Sequence, residues 1–444
     1  MSDSVWSTKT IRELGAGNSS TVQTGPFGSQ LHAEDYVEEG VPFILIRNIG
    51  DGGLKADNLP RISVSDAKRL AKYSLNSGDI VFTRVGRAGS CLLVTDKESG
   101  WIISGQTLRL RLDNPELDSR FFLYALRSHT VQKFVSNSSV GTTRESLNTK
   151  ILKSIPVLHP GYIEQKRIAE ILSTVDEAIE QTEALIAKYQ HIKAGLMHDL
   201  FTRGVTSDGH LRPIRAQAPH LYKESPLGWI PKEWDTVRLD KSEINIIDGD
   251  RGENYPQGHE LLDSGYCLFL SATNVTPRGF KFDQLQFISS EKDHLLGTGK
   301  LVRGDIIITT RGTVGNIAFF DDDVPFSEIR INSGMVILRC NQSNLAADFL
   351  YCSFANYIFG QEFKRVVSGS AQPQLPIKDL KHFHCLVLPM PEQQLLLSRV
   401  RAVDGYLSSE EESLNKLSKA KKGLMQDLLT GRVRVKVGEA EEKL

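Results

Sequence analysis

One long segment of this sequence occurs twice, and that duplication constrains the fold more than any other feature. The segment Glu164–Gly204 aligns without a gap with the segment that begins at Glu392. The separation stays at 228 residues along the alignment, for example between Gly195 and Gly423. Because a repeat of this length sets the architecture, we expect one folding unit that is used twice.

Both copies show the residue spacing of a coiled coil. Apolar positions alternate at four and three residues over about five heptads, and no proline interrupts either copy. A continuous helix of this length would be roughly 60 Å long. Two ordinary amphipathic core helices are the alternative, but the long pattern favours two helices packed on each other. The expected seam residues are Leu172, Ile179, Ile186, Lys193, Val400, Leu407, Leu414 and Lys421.

Two of these seam residues are charged. Lys193 and Lys421 occupy the same position of the repeat, where a buried polar group can specify the register of two helices. The alternative is that both ammonium groups simply extend to solvent. The first helix also carries many acidic residues, which makes it an unsuitable DNA surface.

Composition excludes several protein classes. The chain is 40% hydrophobic and 24% charged, which is typical of a soluble globular protein. It has neither an apolar run of about 18 residues nor a hydrophobic signal core, so we expect a cytoplasmic protein without a membrane segment. The five cysteines form no C-x-x-C pair, which suggests neither disulfides nor a zinc site. A net charge of −1 argues against non-specific coating of nucleic acid but permits a local basic face.

The repeat extends into the globular parts of the chain. Trp6 matches Trp234 at 228 residues, and Ser77–Gly89 matches Arg303–Gly315 at 226. Each globular part is therefore followed by one long helix. We predict a first globular domain at 1–160, a first helix at 161–204, a linker at 205–233, a second globular domain at 234–390, a second helix at 391–432 and a charged tail at 433–444.

Each globular half is predicted to be a mixed α/β (α+β) domain. Apolar, β-branched runs bounded by glycines and polar turns predict strands, and a helical spacing predicts one helix in each half. The glycines and prolines of 205–233 predict a linker without regular structure. The predicted strands are Ile80–Thr83, Cys91–Val94, Thr107–Leu112, Ile306–Thr310, Ile317–Phe320 and Met335–Leu338, and the predicted helices are Ser119–Val135 and Ala347–Val366.

The sequence carries no catalytic motif that we can recognise. It lacks a dinucleotide-binding G-x-G-x-x-G after a strand, a Walker loop, H-E-x-x-H and G-x-S-x-G. It also has no Pro-Pro pair, so the Asn/Asp-Pro-Pro-aromatic loop of amino-methyltransferases is absent. We therefore expect neither an active site nor a metal site on this chain. A single-chain restriction-methyltransferase with an unrecognised catalytic part is the alternative.

Glycine-rich polar loops occur at matching places in the two halves and are the candidate DNA-binding sites. Small residues allow a backbone to approach a phosphate, and arginines suit guanine. Any single loop is equally well an ordinary turn, but repetition in both halves favours binding. The candidates are Thr24, Phe27, Ser29, Gln30, Arg84, Arg87, Ser138, Thr142, Thr143 and Arg144 in the first half, and Arg251, Asn254, Arg311, Thr313, Ser368, Ser370, Gln372 and Gln374 in the second.

This order of segments resembles the specificity subunit of type I restriction-modification enzymes. The resemblance rests on Gly369–Leu375 before the second helix, on the helix that opens with Pro-Glu-Gln393 and closes with Gly423–Thr430, and on the restart Ser225–Trp234. It covers nearly the whole chain. The first half departs from the family pattern at Gly141–Ser146, where a Gln-Pro-Gln type of loop is replaced.

The resemblance implies a non-catalytic subunit that binds double-stranded DNA. Each globular half would be a target recognition domain for one part of a bipartite sequence, and the helices would form an antiparallel coiled coil that sets the spacing. It also implies two methyltransferase (modification) subunits that hold S-adenosylmethionine, and restriction/translocase subunits that use ATP and Mg²⁺. Since the loops of the two halves differ, we expect an asymmetric target. A coiled-coil adaptor that binds only proteins is a further alternative.

Overall fold

The structure is a computed structural model that divides into two compact units. It describes residues 6–15, 21–27, 30–50, 53–55, 57–86, 89–138, 146–341, 345–366 and 374–435. The first unit consists of Met1–Ala184 with Glu412–Leu444, and the second of Leu185–Glu411. The division falls inside both long helices rather than at their ends, so each unit contains one globular half and a part of each helix.

The globular half of the first unit is built from short strands. Their bounds are β1 Ser7–Thr10, β2 Val22–Thr24, β3 Tyr36–Val37, β4 Val41–Ile44, β5 Ile49–Gly50, β6 Gly53–Leu54, β7 Arg61–Ile62, β8 Ile80–Thr83, β9 Cys91–Leu93, β10 Ile102–Ile103, β11 Thr107–Leu110 and β12 Pro156–His159. One sheet has the antiparallel order β2–β11–β8–β9, and a second has the order β10–β4–β7–β3 with β10 parallel to β4. Strand β1 pairs with β12, just before the first long helix.

The helices of this half pack against its two sheets. Their bounds are α1 Ile11–Leu14, α2 Val64–Arg69, α3 Ser119–Arg127, α4 His129–Ser138, α5 Thr149–Ser154 and α6 Tyr162–Arg203. The predicted single helix Ser119–Val135 is therefore two helices. The break lies at Ser128, whose backbone is extended and whose hydroxyl accepts a hydrogen bond from the Val131 backbone N–H at 3.4 Å. Serine favours such a break because its side chain can cap the helix that follows.

The second unit repeats the sheet order of the first. Its strands are β13 Tyr222–Ser225, β14 Gly228–Pro231, β15 Asp235–Arg238, β16 Ile244–Asp248, β17 Cys267–Leu270, β18 Val275–Thr276, β19 Gly279–Phe280, β20 Phe287–Ile288, β21 Ile306–Thr309, β22 Ile317–Phe319, β23 Ile329–Ile331, β24 Met335–Cys340 and β25 His384–Val387. The antiparallel sheet β16–β24–β21–β22 corresponds to β2–β11–β8–β9, and β17 pairs in parallel with β23 as β4 does with β10. The predicted mixed α/β fold with an internal repeat is confirmed.

The helices of the second unit follow the same plan. They are α7 Ser290–Leu295, α8 Ala347–Ser353, α9 Phe359–Val366, α10 Ile377–Leu380 and α11 Met390–Leu428. The predicted helix Ala347–Val366 is correct in its bounds but contains a wider π-helical turn at Phe354–Ile358. Like its counterpart in the first unit, this helical region is therefore not one regular α-helix.

The prediction that residues 205–233 form a linker without regular structure is wrong. Strands β13 and β14 form a hairpin in this segment. Tyr222, Leu227 and Ile230 are buried, and the last two belong to the main apolar core of the unit. The prolines and glycines mark the turns of a folded element, because Gly228 adopts the positive φ that a tight turn requires.

The two long helices pair antiparallel within each unit. In the second unit Lys193 pairs with Asp404 and Tyr189 stacks on Tyr406, so the residue number falls along one helix as it rises along the other. In the first unit the contacts Asp176–Lys421 and Glu164–Val435 show the same direction. Of the predicted seam residues, three are buried and five are partly buried. The buried ones are Leu172, Ile186 and Val400, and the partly buried ones are Ile179, Lys193, Leu407, Leu414 and Lys421.

A glycine in the left-handed conformation follows the end of each long helix. Gly204 has φ +63° and Gly431 has φ +69°, a conformation that commonly terminates helices. The first helix matches the predicted range 161–204 within one residue at each end. The second ends at Leu428, four residues before the predicted end at 432, because the turn that contains Gly431 follows it directly.

Candidate nucleic-acid interface

Loops of the second unit meet at one end of the sheet β16–β24–β21–β22. The backbone N–H of Arg311 and the hydroxyl of Thr310 both donate to the carbonyl of Gly334, at 3.2 and 3.0 Å. The backbone N–H of Leu375 donates to the carbonyl of Thr310 at 3.0 Å, and Thr313 Oγ1 donates to the carbonyl of Ala272 at 3.2 Å. The segments that precede β24 and α10 therefore lie directly against the loop between β21 and β22.

The loop that follows β16 also belongs to this cluster, because its backbone lies close to the backbone of Asn332. A Cβ atom placed on Gly249 would lie 2.1 Å from the carbonyl oxygen of Asn332, so only glycine fits there. The Arg251 guanidinium donates to the carbonyl of Ser333 at 3.2 Å and pairs with Asp248 at 3.1 Å. We call the set 248–251, 310–315, 332–334 and 374–375 the second loop cluster.

The carboxylate of Asp250 accepts hydrogen bonds that hold together the base of the second loop cluster. Although burial acts in the opposite direction, backbone hydrogen bonds from Gly252 and Gly297 hold the pKa of Asp250 below its usual value. Both hydrogen bonds are 2.8 Å long. Asn254 lies just beyond, and its amide donates to the carbonyl of Leu295 at 3.4 Å. The loop after β16 is thus fixed before any ligand binds.

The first unit assembles the same loops in the same way. A Cβ atom on Gly25 would lie 2.2 Å from the carbonyl oxygen of Ser104. The backbone N–H of Arg84 donates to Gln106 at 3.0 Å, and the N–H of Leu147 donates to the carbonyl of Arg84 at 2.7 Å. We call the described residues of 24–30, 84–86, 104–106 and 146–147 the first loop cluster.

The structure brings most of the described candidates of the second unit into one cluster. Arg311, Thr313 and Gln374 are exposed, and the side chain of Arg251 is 44% exposed despite its ion pair. Asn254 is also exposed but lies toward α7 rather than among the other candidates. Three exposed polar side chains and one half-exposed arginine can contact a phosphate backbone or base edges.

The described candidates of the first unit differ more in their surroundings. Phe27 is 62% exposed, and Ser138 is exposed at the end of α4. Thr24 lies in β2 opposite Leu108 and is partly buried. The amide oxygen of Gln30 accepts a hydrogen bond from the Tyr73 hydroxyl at 2.8 Å, so this side chain is already engaged within the domain.

Arg84 has a different role from the one its residue type suggests. Its Nη1 donates to the carbonyl of Gly105 at 2.9 Å, and its Nε is buried. We therefore interpret Arg84 as a positioning residue of the first loop cluster rather than a guanine reader. The remaining candidates, Ser29, Arg87, Thr142, Thr143, Arg144, Ser368, Ser370 and Gln372, lie outside the residues that the structure describes.

Two buried asparagines, one in each unit, hold the turns that follow β4 and β17 and were not among the candidates. Asn274 accepts a hydrogen bond from the backbone of Ser271 at 2.9 Å and donates to Lys281 and Gln284. Asn48 makes the equivalent bonds to Leu45 and Lys55 in the first unit. The sequence signal was the recurrence of an asparagine after an apolar run at matching places in both halves.

Each long helix is attached to its unit through a glutamate in its first turn. Glu392 accepts hydrogen bonds from Trp234 Nε1 at 3.0 Å, from both terminal nitrogens of Arg212, and from the Val205 backbone. Glu164 accepts from Trp6 Nε1 at 3.3 Å, from Arg434 twice at 2.9 Å, and from the Val435 backbone. We call these two sites the helix junctions.

The glutamine that follows each glutamate contacts the globular half. Gln165 accepts from the backbone N–H of Asp118 at 3.0 Å and donates to Pro160 at 2.9 Å. Gln393 accepts from Ala346 at 3.0 Å and donates to Leu388 at 2.8 Å. Asp118 and Ala346 are the cap residues of α3 and α8, so the repeated Glu-Gln pair fixes the start of each long helix to a helix of the adjoining globular half.

Two other kinds of feature are absent from the described part of the chain. Its residues contain no group of three His, Cys, Asp or Glu side chains placed to hold a metal ion. None of its helices is both long and apolar enough to span a bilayer.

Known proteins resemble this chain along most of its length. A family model described as the type I restriction modification DNA specificity domain matches residues 6–189 and 231–419. The putative type I restriction enzyme MjaX specificity subunit of Methanocaldococcus jannaschii is 26% identical over 410 residues, which is 89% of this chain and 88% of that protein. The EcoBI specificity subunit of Escherichia coli is 21% identical over 88% of this chain and 79% of its own length.

The fold is also that of a solved structure. The S subunit of a type I restriction-modification system from M. genitalium superposes with a TM-score of 0.56 at 19% identity, covering 99% of this chain and 98% of that one. Two matches to the same family model, one for each globular half, agree with the internal repeat of the fold.

Proposed function

This chain belongs to the type I restriction-modification DNA specificity family, and from that premise we propose that its two units read the two parts of one bipartite DNA target. The observation that carries the proposal is the pair of loop clusters. Their backbones are assembled by equivalent contacts, whereas the side chains that they present differ. Two loop clusters that share a backbone arrangement but present different side chains are suited to bind two half-sites of different sequence.

The direct readers that we propose are the exposed polar residues of the loops. In the second unit these are Arg311, Thr313 and Gln374, with Arg251 available for a phosphate. An arginine can bind guanine through two hydrogen bonds, and threonine or glutamine can bind other base edges. In the first unit Phe27 is exposed at the equivalent of Arg251, so the two half-sites should be contacted differently.

We further propose that the long helices set the distance between half-sites and bind methyltransferase subunits. Large apolar or aromatic side chains are exposed on them: Tyr162 is 43%, Ile192 46% and Tyr406 60% accessible. Tyr162 stands alone, whereas Ile192 and Tyr406 both lie on the paired helices of the second unit, where the Tyr406 ring stacks on Tyr189 at 5.6 Å; a docked protein could cover these two side chains. S-adenosylmethionine, ATP and Mg²⁺ would be bound by the methyltransferase and restriction subunits, and the complex would act on DNA in the cytoplasm.

The decisive experiment is co-expression of this chain with its methyltransferase subunit, followed by genome-wide mapping of methylated bases. We expect one two-part motif with unequal halves separated by a fixed unread spacer. A palindromic motif would contradict the inference from unequal loops.

Two controls separate the alternatives. Methyl transfer by this chain alone would show a single-chain methyltransferase. Absence of any DNA band shift by the assembled complex would favour a protein adaptor. A band shift that needs both subunits, with methylation only when both are present, is the result that we expect.

A further inference from the structure

One phenylalanine of the first loop cluster is exposed although the residues before it are buried. The chain contains 19 phenylalanines, all of which lie in the described part, and Phe27 is the only one of them that is exposed. Its side chain is 62% accessible, whereas Gly25 and Pro26 are buried. Since burial of an aromatic ring is favourable, Phe27 presents apolar surface that its own domain leaves uncovered.

The backbone that carries Phe27 is held from several sides. A Cβ atom on Gly105 would lie 2.4 Å from the carbonyl oxygen of Pro26 and 3.5 Å from the Cα of Phe27, so the two backbone segments touch. The Phe27 carbonyl accepts a hydrogen bond from the Gln30 N–H at 2.8 Å, and the Gln30 carbonyl accepts one from the Arg69 guanidinium at 2.9 Å. A side chain on a fixed backbone loses little conformational entropy when it binds.

The other described candidates of the first loop cluster are less available to a ligand than Phe27. Thr24 is partly buried in β2, and the side-chain amide of Gln30 is engaged within the domain. The Arg84 guanidinium donates to a backbone carbonyl. Of the described candidates in this cluster, Phe27 alone is exposed, so a ring rather than a hydrogen-bonding group faces the DNA there.

The corresponding position of the second unit carries an arginine. Phe27 and Arg251 each follow, by two residues, the glycine of a close backbone approach. A guanidinium at this place suits a phosphate, but a phenyl ring cannot donate to one. The ring can instead enter the base stack or touch the methyl group of a thymine. A methyl contact leaves most of the ring in water, whereas insertion between base pairs covers both of its faces.

We propose that Phe27 inserts between two base pairs of the first half-site and thereby unstacks and kinks the DNA at that step. This inference rests on the proposed function. Phenylalanine is one of the side chains that act as wedges in DNA, and pyrimidine–purine steps are the easiest to unstack. The first half-site should therefore contain a TA or CA/TG step where Phe27 enters, selected for its deformability rather than through hydrogen bonds.

The test uses the full chain in complex with its methyltransferase subunit and a duplex that carries the two-part motif mapped for that complex. Each TA or CA/TG step contains an adenine, which is replaced by 2-aminopurine, a base that fluoresces more strongly when it is unstacked. The methylated base is left out as a probe, because methyltransferases flip their target base. The wild-type complex should raise the fluorescence at one step of the first half-site.

Three variants show whether the ring causes this unstacking. Phe27→Ala should abolish the rise in fluorescence and weaken binding about tenfold. Phe27→Leu keeps an apolar wedge and should retain part of both. Val64→Ala removes a side chain of α2 that is 58% exposed but lies outside the loop cluster, and it should behave as the wild type. Thermal melting should show all three variants folded, since the replaced side chains are exposed.

A nick at the same DNA step measures the cost of deformation. The nick keeps every base but makes the step easier to bend, so the wild-type complex should bind the nicked duplex more tightly than the intact one. Phe27→Ala should gain nothing from the nick, because it does not bend that step.

Two results would overturn the proposal. One is an equal change in fluorescence with the wild type and with Phe27→Ala. The other is a replacement of thymine by deoxyuridine that weakens wild-type binding as much as Phe27→Ala does, because it would assign the ring to a methyl contact. A wild-type complex that selects no two-part target overturns the proposed function instead.

Discussion

The two helix junctions use the same kinds of residue but differ in burial. Trp234 is fully buried and the Arg212 side chain is 7% exposed, whereas Trp6 is only partly buried and the Arg434 side chain is 46% exposed. The difference follows from the hairpin β13–β14, whose Leu227 and Ile230 share an apolar core with Trp234. The same tryptophan–glutamate–arginine arrangement should therefore carry different energies in the two units.

The largest expected effect is at the buried junction. Glu392→Ala would remove the acceptor of the Trp234 N–H and one of the two carboxylate partners of Arg212, the other being the exposed Glu233, which should lower the free energy of unfolding by about 3 kcal/mol. Glu164→Ala removes equivalent bonds from a half-exposed arginine and should cost about 1 kcal/mol, since water replaces much of the ion pair. Urea denaturation measures both variants. Equal losses of unfolding free energy in the two variants would show that burial does not change the stability contributed by a helix junction.

The glutamines provide a comparison in which the two units should behave alike. Gln165 and Gln393 are 1% and 0% exposed and make the same pair of backbone hydrogen bonds. Replacement of either by alanine should cost about 1–3 kcal/mol, because buried backbone groups lose their partners. The same denaturation experiment applies. A difference between the two as large as that expected for the glutamates would indicate a general difference in unit stability.

The two loop arginines should have different effects when they are replaced. Arg311 should affect DNA recognition, and Arg84 should affect protein stability. Arg311→Ala should reduce discrimination at one base pair of the second half-site by about 1–3 kcal/mol without changing the melting temperature. Arg84→Ala should instead lower the melting temperature, because Gly105 loses its hydrogen bond. Binding to DNA libraries and thermal melting measure the two effects. Loss of base discrimination without destabilisation in Arg84→Ala would reverse our interpretation of that residue.

The smallest expected effect is at Arg251. Its guanidinium is half-exposed beside Asp248, a position that suits a phosphate rather than a base. Arg251→Ala should weaken binding about equally for all sequences and reduce the salt slope by about one. Binding measured at several salt concentrations tests this. Phe27→Ala is the matched change in the first unit, and it should leave the salt slope unchanged because no charge is removed.

The sequence predicted the features that depend on pattern. The heptad spacing identified both long helices, and β-branched runs located strands such as Ile80–Thr83 and Ile306–Thr310 within one residue. The hairpin in 205–233 was missed because its prolines and glycines are equally typical of a linker. The burial of Tyr222 and Ile230, which makes that segment part of a core, depends on residues far away in the chain.

Side-chain roles were less predictable than backbone positions. Arg84 and Arg311 both lie in glycine-rich loops, and nothing local to either distinguishes them. Only the proximity of Gly105, which is brought to Arg84 by strand pairing, shows that one arginine is engaged and the other exposed. The junction residues Glu164 and Glu392 were visible as a repeat, but their partners lie more than 150 residues away in sequence, at Trp6 and Trp234.

The division of the first unit into two chain segments has a consequence for synthesis. The second unit is continuous, from Leu185 to Glu411, whereas the first needs residues after Glu412 to complete its helix pair. At about 5–20 residues per second, a ribosome takes on the order of ten to forty seconds to make the intervening segment. During that interval Ile168 and Leu172 of α6 can pack on their own globular half, but the stretch around Asp176 lacks the helix that carries Lys421. The unit that is translated first is thus the last to be completed.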